Sequence, residues 1–150
     1  MGIKEKIHEH RRIMFDSAPV IYFIEEHPVC GTTADAIFKE IKDNSHIHAF
    51  SSVITLIEVL TQPLRESDEE LAGRYRDFLL RSANFTIYDI DPLIGEQAAK
   101  LRAEYGIRTP DAVQLAIGTG NGGTLFVTND KRLKKVKETE IMVLEDYVIM

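Results

Sequence analysis

Ile13-Met14-Phe15-Asp16-Ser17-Ala18-Pro19 decides the fold reading: a short apolar run, an acid directly after it, and a helix opening in which Pro suits the first turn. The same grammar recurs along the chain, where short apolar runs alternate with longer helical patterns, the signal for βαβ units and a parallel sheet. The first helix is expected to reach about Glu26 and a second to cover Thr33 to Lys42. His46 to Ser51 reads as a strand, with Ile47 and Ala49 on one side and His48 and Phe50 on the other. Ser51 or Ser52 then caps a helix through Val53 to Leu60, and another runs from about Asp68 to Arg81. Phe85 to Tyr88 is a strand, and Asp91-Pro92 opens a helix that stops at Gly106. Thr109-Pro110 opens the next, which ends in the Gly118 to Gly123 break, before strands at Leu125 to Val127 and Ile141 to Leu144. The pattern predicts an α/β protein, a three-layer α/β/α sandwich around a mainly parallel sheet of four or five strands. One domain is expected over 12–150, preceded by a polar extension at 1–11.

At 150 residues, 44% hydrophobic and 28% charged, the chain has the size and balance of one globular domain. The longest strictly apolar stretch, Ala18 to Ile24, is far short of the roughly 20 residues of a membrane helix. The charged start, MGIKEKIHEHRRIMF, offers no apolar signal core, and a single cysteine, Cys30, allows no internal disulfide. A cytoplasmic protein with no membrane partner is expected. A net charge of -6 argues against coating nucleic acid, or an anionic membrane, by bulk charge.

In open parallel sheets ligands sit beyond the carboxyl ends of the strands. Asp16 and Asp130 each follow an apolar run there. Taken singly, either is an ordinary turn or cap residue, and Asp89 and Asp91 are read that way. Glu58 interrupts a helix that is otherwise apolar save for Thr55, three residues earlier on the same face. Such a helix is expected to be buried, where a carboxylate needs a partner or a metal, unless Thr55, Glu58 and Gln62 form a solvent stripe. Asp111 lies in the first turn of its helix, where an acid suits the dipole without further purpose. Together the four would converge on one crevice. Two carboxylates about 5 Å apart repel by roughly 3 kcal/mol at an effective dielectric near 20, so the group must take up protons or a cation. Oxygen ligands select Mg²⁺ or Mn²⁺ over zinc, and such a pocket suits phosphodiester hydrolysis.

The ordered set Asp16-Ser17-Ala18, Thr55-Leu56-Ile57-Glu58-Val59-Leu60, Thr109-Pro110-Asp111-Ala112 and Thr128-Asn129-Asp130 resembles the successive motifs of PIN-domain nucleases, over about residues 12–144. In size, and in lacking added domains, the chain is most similar to the VapC toxins of toxin-antitoxin pairs. The resemblance implies an Mg²⁺- or Mn²⁺-dependent endoribonuclease. Asp16, Glu58, Asp111 and Asp130 would be its catalytic, metal-holding acids, supported by Ser17, Thr128 and Asn129. It also implies an RNA substrate, a homodimer and a cognate antitoxin. Two features depart from the pattern: Pro19 beside Asp16, and the polar lead before the first strand.

Lys131, Arg132, Lys134, Lys135 and Lys137 form a basic run after Asp130 that could hold RNA phosphates, with Lys131, Lys134 and Lys135 the candidates, meet an acidic partner or form a solvated face. Two other functions stay open. A nuclease-silent PIN module for protein association would be expected to lack one of the acids. A phosphoacceptor receiver domain shares the open sheet and acidic pocket, but uses an acidic pair at its first strand and a Lys at its last. Here one Asp ends the first strand and Glu145-Asp146 follows the last.

Overall fold

The structure is a computed structural model that describes residues 2–148; Met1 and residues 149–150, which fall within the expected extension and domain bounds, lie outside the described residues. Strands β1 (Arg12–Phe15), β2 (His48–Ser52), β3 (Phe85–Tyr88), β4 (Leu125–Thr128) and β5 (Glu140–Val143) form one sheet in the order β3-β2-β1-β4-β5. Every pairing is parallel. The helices are α1 (Ile3–His8), α2 (Ser17–Ile24), α3 (Gly31–Asp43), α4 (Val53–Arg65), α5 (Glu69–Arg81), α6 (Pro92–Tyr105) and α7 (Thr109–Gly120).

The two-residue period of a strand divides the interior into two cores. Ile13, Phe15, Ala49, Leu125 and Val127 point into the core closed by α1, α2, α3 and α5, while Met14, Phe50 and Phe126 point into the one closed by α6 and α7. This is the expected three-layer sandwich, with all five strands parallel. α7 is buried from Ala112 through Gly118. Its approach to the sheet needs a bare position, because a Cβ on Gly118 would stand 3.2 Å from Met14 Cβ.

Local differences from the sequence reading have local causes. β2 begins at His48 rather than His46, because residues 45 and 46 turn and leave His46 exposed. β5 starts one residue early, at Glu140, and Leu144 enters a 3-10 segment instead of ending the strand. α2 stops at Ile24, and Pro19 lies inside its first turn, where no helical donor is lost. α4 was expected to be buried nearly all round. Instead Ile57 is 61% and Leu64 47% exposed, so it lies over the rim of the sheet with one side in solvent.

Within the lead, residues 2–11 carry a short helix with a buried anchor. Ile3 and Ile7 stand four apart and make one apolar stripe, Ile7 is fully buried, and α1 packs on α3. Composition hides two isoleucines among charges. Ion pairs of Lys4 with Glu40 and of Lys6 with Glu140 flank the stripe. Ile7→Ala should therefore lower the urea-unfolding free energy by about 2 to 4 kcal/mol, the usual cost of emptying a buried aliphatic site. A segment free of the core would lose nothing.

Candidate active site

β1 is followed on one side by β2 and β3, and β4 and β5 lie on its other side. The order of strand addition thus switches sides between β1 and β4, the place where an open α/β sheet forms its crevice. Asp16 follows β1 directly and caps α2, its Oδ1 accepting from Ser17 N at 2.9 Å. Thr128, the last residue of β4, donates its hydroxyl to Asp16 Oδ2 at 2.8 Å. Gln114 Nε2, from α7, approaches Asp16 Oδ1 at 3.4 Å. Groups from three separate elements therefore fix one carboxylate.

Behind Asp16 lies a network of uncharged polar side chains, each 0–1% exposed: Ser51, Ser52, Thr55 and Gln114. Ser51 Oγ donates to the Phe15 carbonyl at 2.6 Å, and Gln114 Nε2 donates to Thr55 Oγ1 at 2.7 Å. Ser52 Oγ caps α4 by accepting from Ile54 N and donates to Gln114 Oε1. Ser17 Oγ reaches both residues of the α4 face, donating to Glu58 Oε1 at 3.0 Å and lying 3.2 Å from Thr55 Oγ1. The Thr55–Glu58 face thus looks into the crevice and is no solvent stripe, although Glu58 itself is exposed.

Asp111, on the first turn of α7, has a side chain only 13% exposed and pairs with Arg108 Nε at 3.3 Å. Asp130 caps the 3-10 segment Lys131–Lys135 and receives both arms of Arg132, at 3.0 and 2.8 Å. The two Asp environments differ in sign. Burial pushes the Asp16 carboxyl above its ordinary range, the hydrogen bonds from Thr128 and Ser17 oppose this, and the charges of Asp111 and Glu58 add to it. The Arg132 guanidinium holds Asp130 below that range, with Arg108 assisting. Among the described residues, no three of these four acids bring oxygens within 4.8 Å of one another. Asp111 and Glu58 act on Asp16, whereas Asp130 turns to its arginine.

Of the supporting residues, Ser17 and Thr128 touch the acids directly. Asn129 faces away, donating to Tyr22 Oη and Glu145 Oε1, each at 3.2 Å. Lys131 pairs with Glu145 and Lys134 with Asp146, while Lys135 is exposed. The sequence reading missed Gln114 and Arg108, and placed Arg132 in the basic run but not on Asp130. Gln114 stands three after Asp111, one helical step along the same face, a spacing that could have marked it. All-oxygen donors and negative charge gathered around a buried carboxyl fit a hard divalent cation held by Asp16, Asp111 and Glu58, with Asp130 at the rim.

The family model of the PIN domain matches residues 13–139. No curated protein matches the sequence. Among solved structures, the chain is similar to VapBC2 from Rickettsia felis bound to a promoter DNA fragment, with TM-score 0.72 and 17% identity over 88% of this chain and 98% of that one. DNA-bound VapBC from Salmonella typhimurium gives 0.71 and 18%, over 89% and 98%. VapC20 from Mycobacterium tuberculosis, a sarcin-ricin loop cleaving toxin, gives 0.60 and 16%, over 76% and 86%. At these identities the likeness is one of fold.

The opposite shifts of Asp16 and Asp130 separate in a pH series. A raised folded pKa gives stability that is present below the ordinary carboxylate value of about 3.9 and lost as pH rises through the folded value. A depressed one gives stability present above that value and lost as pH falls. Relative to the parent, Asp16→Asn should gain stability from pH 3 to pH 7. Asp130→Asn should lose stability over the same rise. Thermal midpoints across that range check both signs, and parallel curves for the two variants would refute the assignment.

Proposed function

The chain belongs to the PIN-domain family, and on that premise we propose that it is a metal-dependent endoribonuclease, the toxin of a toxin-antitoxin pair. One observation carries the reading: a carboxyl raised by burial and by two acidic neighbours, yet held by Thr128 and Ser17, as expected of a group that waits for a cation. The cation is Mg²⁺ or Mn²⁺. Bound there, it supplies an activated water and neutralises charge on the phosphate and leaving oxygen.

The chain's own groups do the rest. Asp16, Asp111 and Glu58 supply hard oxygens, and the Ser51–Thr55–Gln114 network backs Asp16 through Gln114 without adding charge. Arg108 and Arg132, 70% and 72% exposed, border the acids and can exchange a carboxylate for a phosphodiester oxygen. Local cations are needed, because an RNA phosphate must approach a protein of net charge -6. Lys131, Lys134 and Lys135 extend the same edge, two of them already paired with acids. An antitoxin partner is supported by the VapBC complexes among the structural neighbours, and exposed Ile57 and Leu64 on α4 offer apolar surface for it or for a homodimer. Among the described residues no helix is long and apolar enough to cross a membrane, and the lone buried Cys30 suits a reducing, cytoplasmic setting.

The pairing of Asp111 with Arg108 and of Asp130 with Arg132 favours one second reading, a PIN module without nuclease activity. Cleavage assays separate the two. With Mn²⁺, Asp16→Asn and Asp111→Asn should each lower RNA cleavage roughly 1000-fold while remaining folded, since a lost ligand forfeits several kcal/mol of transition-state stabilisation. In the Asp16→Asn background, Arg108→Gln with Arg132→Gln should flatten the salt dependence of RNA binding by about two phosphate contacts, roughly 0.7 in slope for each. A parent protein that cuts no RNA in any metal would leave the silent module standing.

A further inference from the structure

A second set of metal-ligating side chains lies away from the acids of the crevice. Glu9, His10 and Glu140 each offer one ligand atom, all within 4.8 Å of one another, and no other such group of three occurs among the described residues. Glu9 and His10 follow α1, and Glu140 opens β5. In register, Glu140 pairs with Leu125 and Leu125 with Ile13, so the group sits at the amino ends of the strands. Asp16 is at the carboxyl ends.

His10 is the unusual member. It is 8% exposed, and its Nδ1 lies 2.8 Å from Thr124 Oγ1. Its Nε2 is buried without a hydrogen-bond partner among the described residues. That atom lies 3.5 Å from Glu140 Oε2, close to the roughly 3.3 Å edge of a tetrahedron with zinc bonds of about 2.0–2.1 Å. A buried nitrogen lacking a partner is costly, and a cation shared with the neighbouring carboxylates would supply one. With the proton on Nδ1, Thr124 accepts it, the outer hydrogen bond that would fix such a ring with Nε2 free to ligate. Lys6 already places its ammonium 2.7 Å from Glu140 Oε2, so a positive charge is favoured at this place even without an ion.

We propose that Glu9, His10 and Glu140 form a structural site for a first-row transition cation, with Zn²⁺ the fitting ion, which ties the end of α1 to the edge strand β5. One imidazole with two carboxylates suits zinc, unlike the all-oxygen crevice, and leaves a fourth position for water. The ion displaces Lys6 from Glu140. The site does not depend on the nuclease reading, and its failure would leave that reading untouched.

The test uses the full chain carrying Asp16→Asn and Asp111→Asn, so that the crevice does not compete for Zn²⁺. Calorimetric titration should show one equivalent bound, and nitrogen NMR of the imidazoles should move the His10 Nε2 resonance, with those of His8, His27, His46 and His48 unmoved. Thr124→Val should weaken binding by about 10- to 100-fold, the range for a lost outer hydrogen bond on a ligand histidine. His10→Gln and Glu140→Gln should each weaken it at least as much, and Lys6→Met should tighten it by removing the competing charge. Circular dichroism checks that each variant is folded, and the NMR readout needs no substitution at the site. Absence of binding, a shift at a different histidine, or an affinity indifferent to His10→Gln would overturn the proposal.

Discussion

β1 is buried on both faces, and most of the architecture follows from that. Ile13 and Phe15 need one apolar layer and Met14 another, so helices must cover both sides of the strand. With β2 and β4 as its neighbours, β1 has no free edge, and its backbone polar groups are satisfied within the sheet. The first residue released from that environment is Asp16. It cannot reach bulk water freely, and neither α2, which it caps, nor Thr128 at the end of β4 lets it turn away. The buried strand therefore both builds the fold and delivers a carboxylate to its switch point.

Much of this was legible in the sequence because the signals were local. Asp91 caps α6 through Ile94 N at 2.9 Å, and Ser52 caps α4 at 3.1 Å, as their spacing before apolar helical runs suggests. Gly106 ends α6 in the left-handed conformation that few other residues take up. Asp16 and Asp130 follow strands and Glu58 lies on the helix after β2, which periodicity could place, whereas Asp111 lies on α7, which follows another helix, α6.

What was not legible depends on tertiary partners. α1 carries its whole anchoring signal in Ile3 and Ile7, and only a groove on α3 distinguishes that from a solvated segment. Asp130 looks like a ligand in sequence, but in space its neighbour Arg132 satisfies it with a bidentate contact across two residues. The same two-residue reach exists wherever Asp and Arg are so spaced. Only the 3-10 turn, with Asp130 as its cap, makes the geometry close. Gln114 was invisible for another reason: an amide on a helix is unremarkable until α7 sinks far enough, with Gly118 against Met14, to bury it.

The choice of partners around the two aspartates follows from how a charge can be held without being spent. A lysine or arginine on Asp16 would neutralise it, and in a buried place an ion pair is costly to separate. Hydroxyl and amide donors orient the carboxylate and leave its charge uncompensated, so its attraction for a cation is retained at some loss of stability. At Asp130 and Asp111 the partners are arginines whose own side chains are largely exposed, where an ion pair contributes little and exchanges readily. Burial thus separates Asp16 from Asp130: the deeper carboxylate is held by neutral groups and keeps its charge available, and the shallower one lends its charge to a cation that can leave.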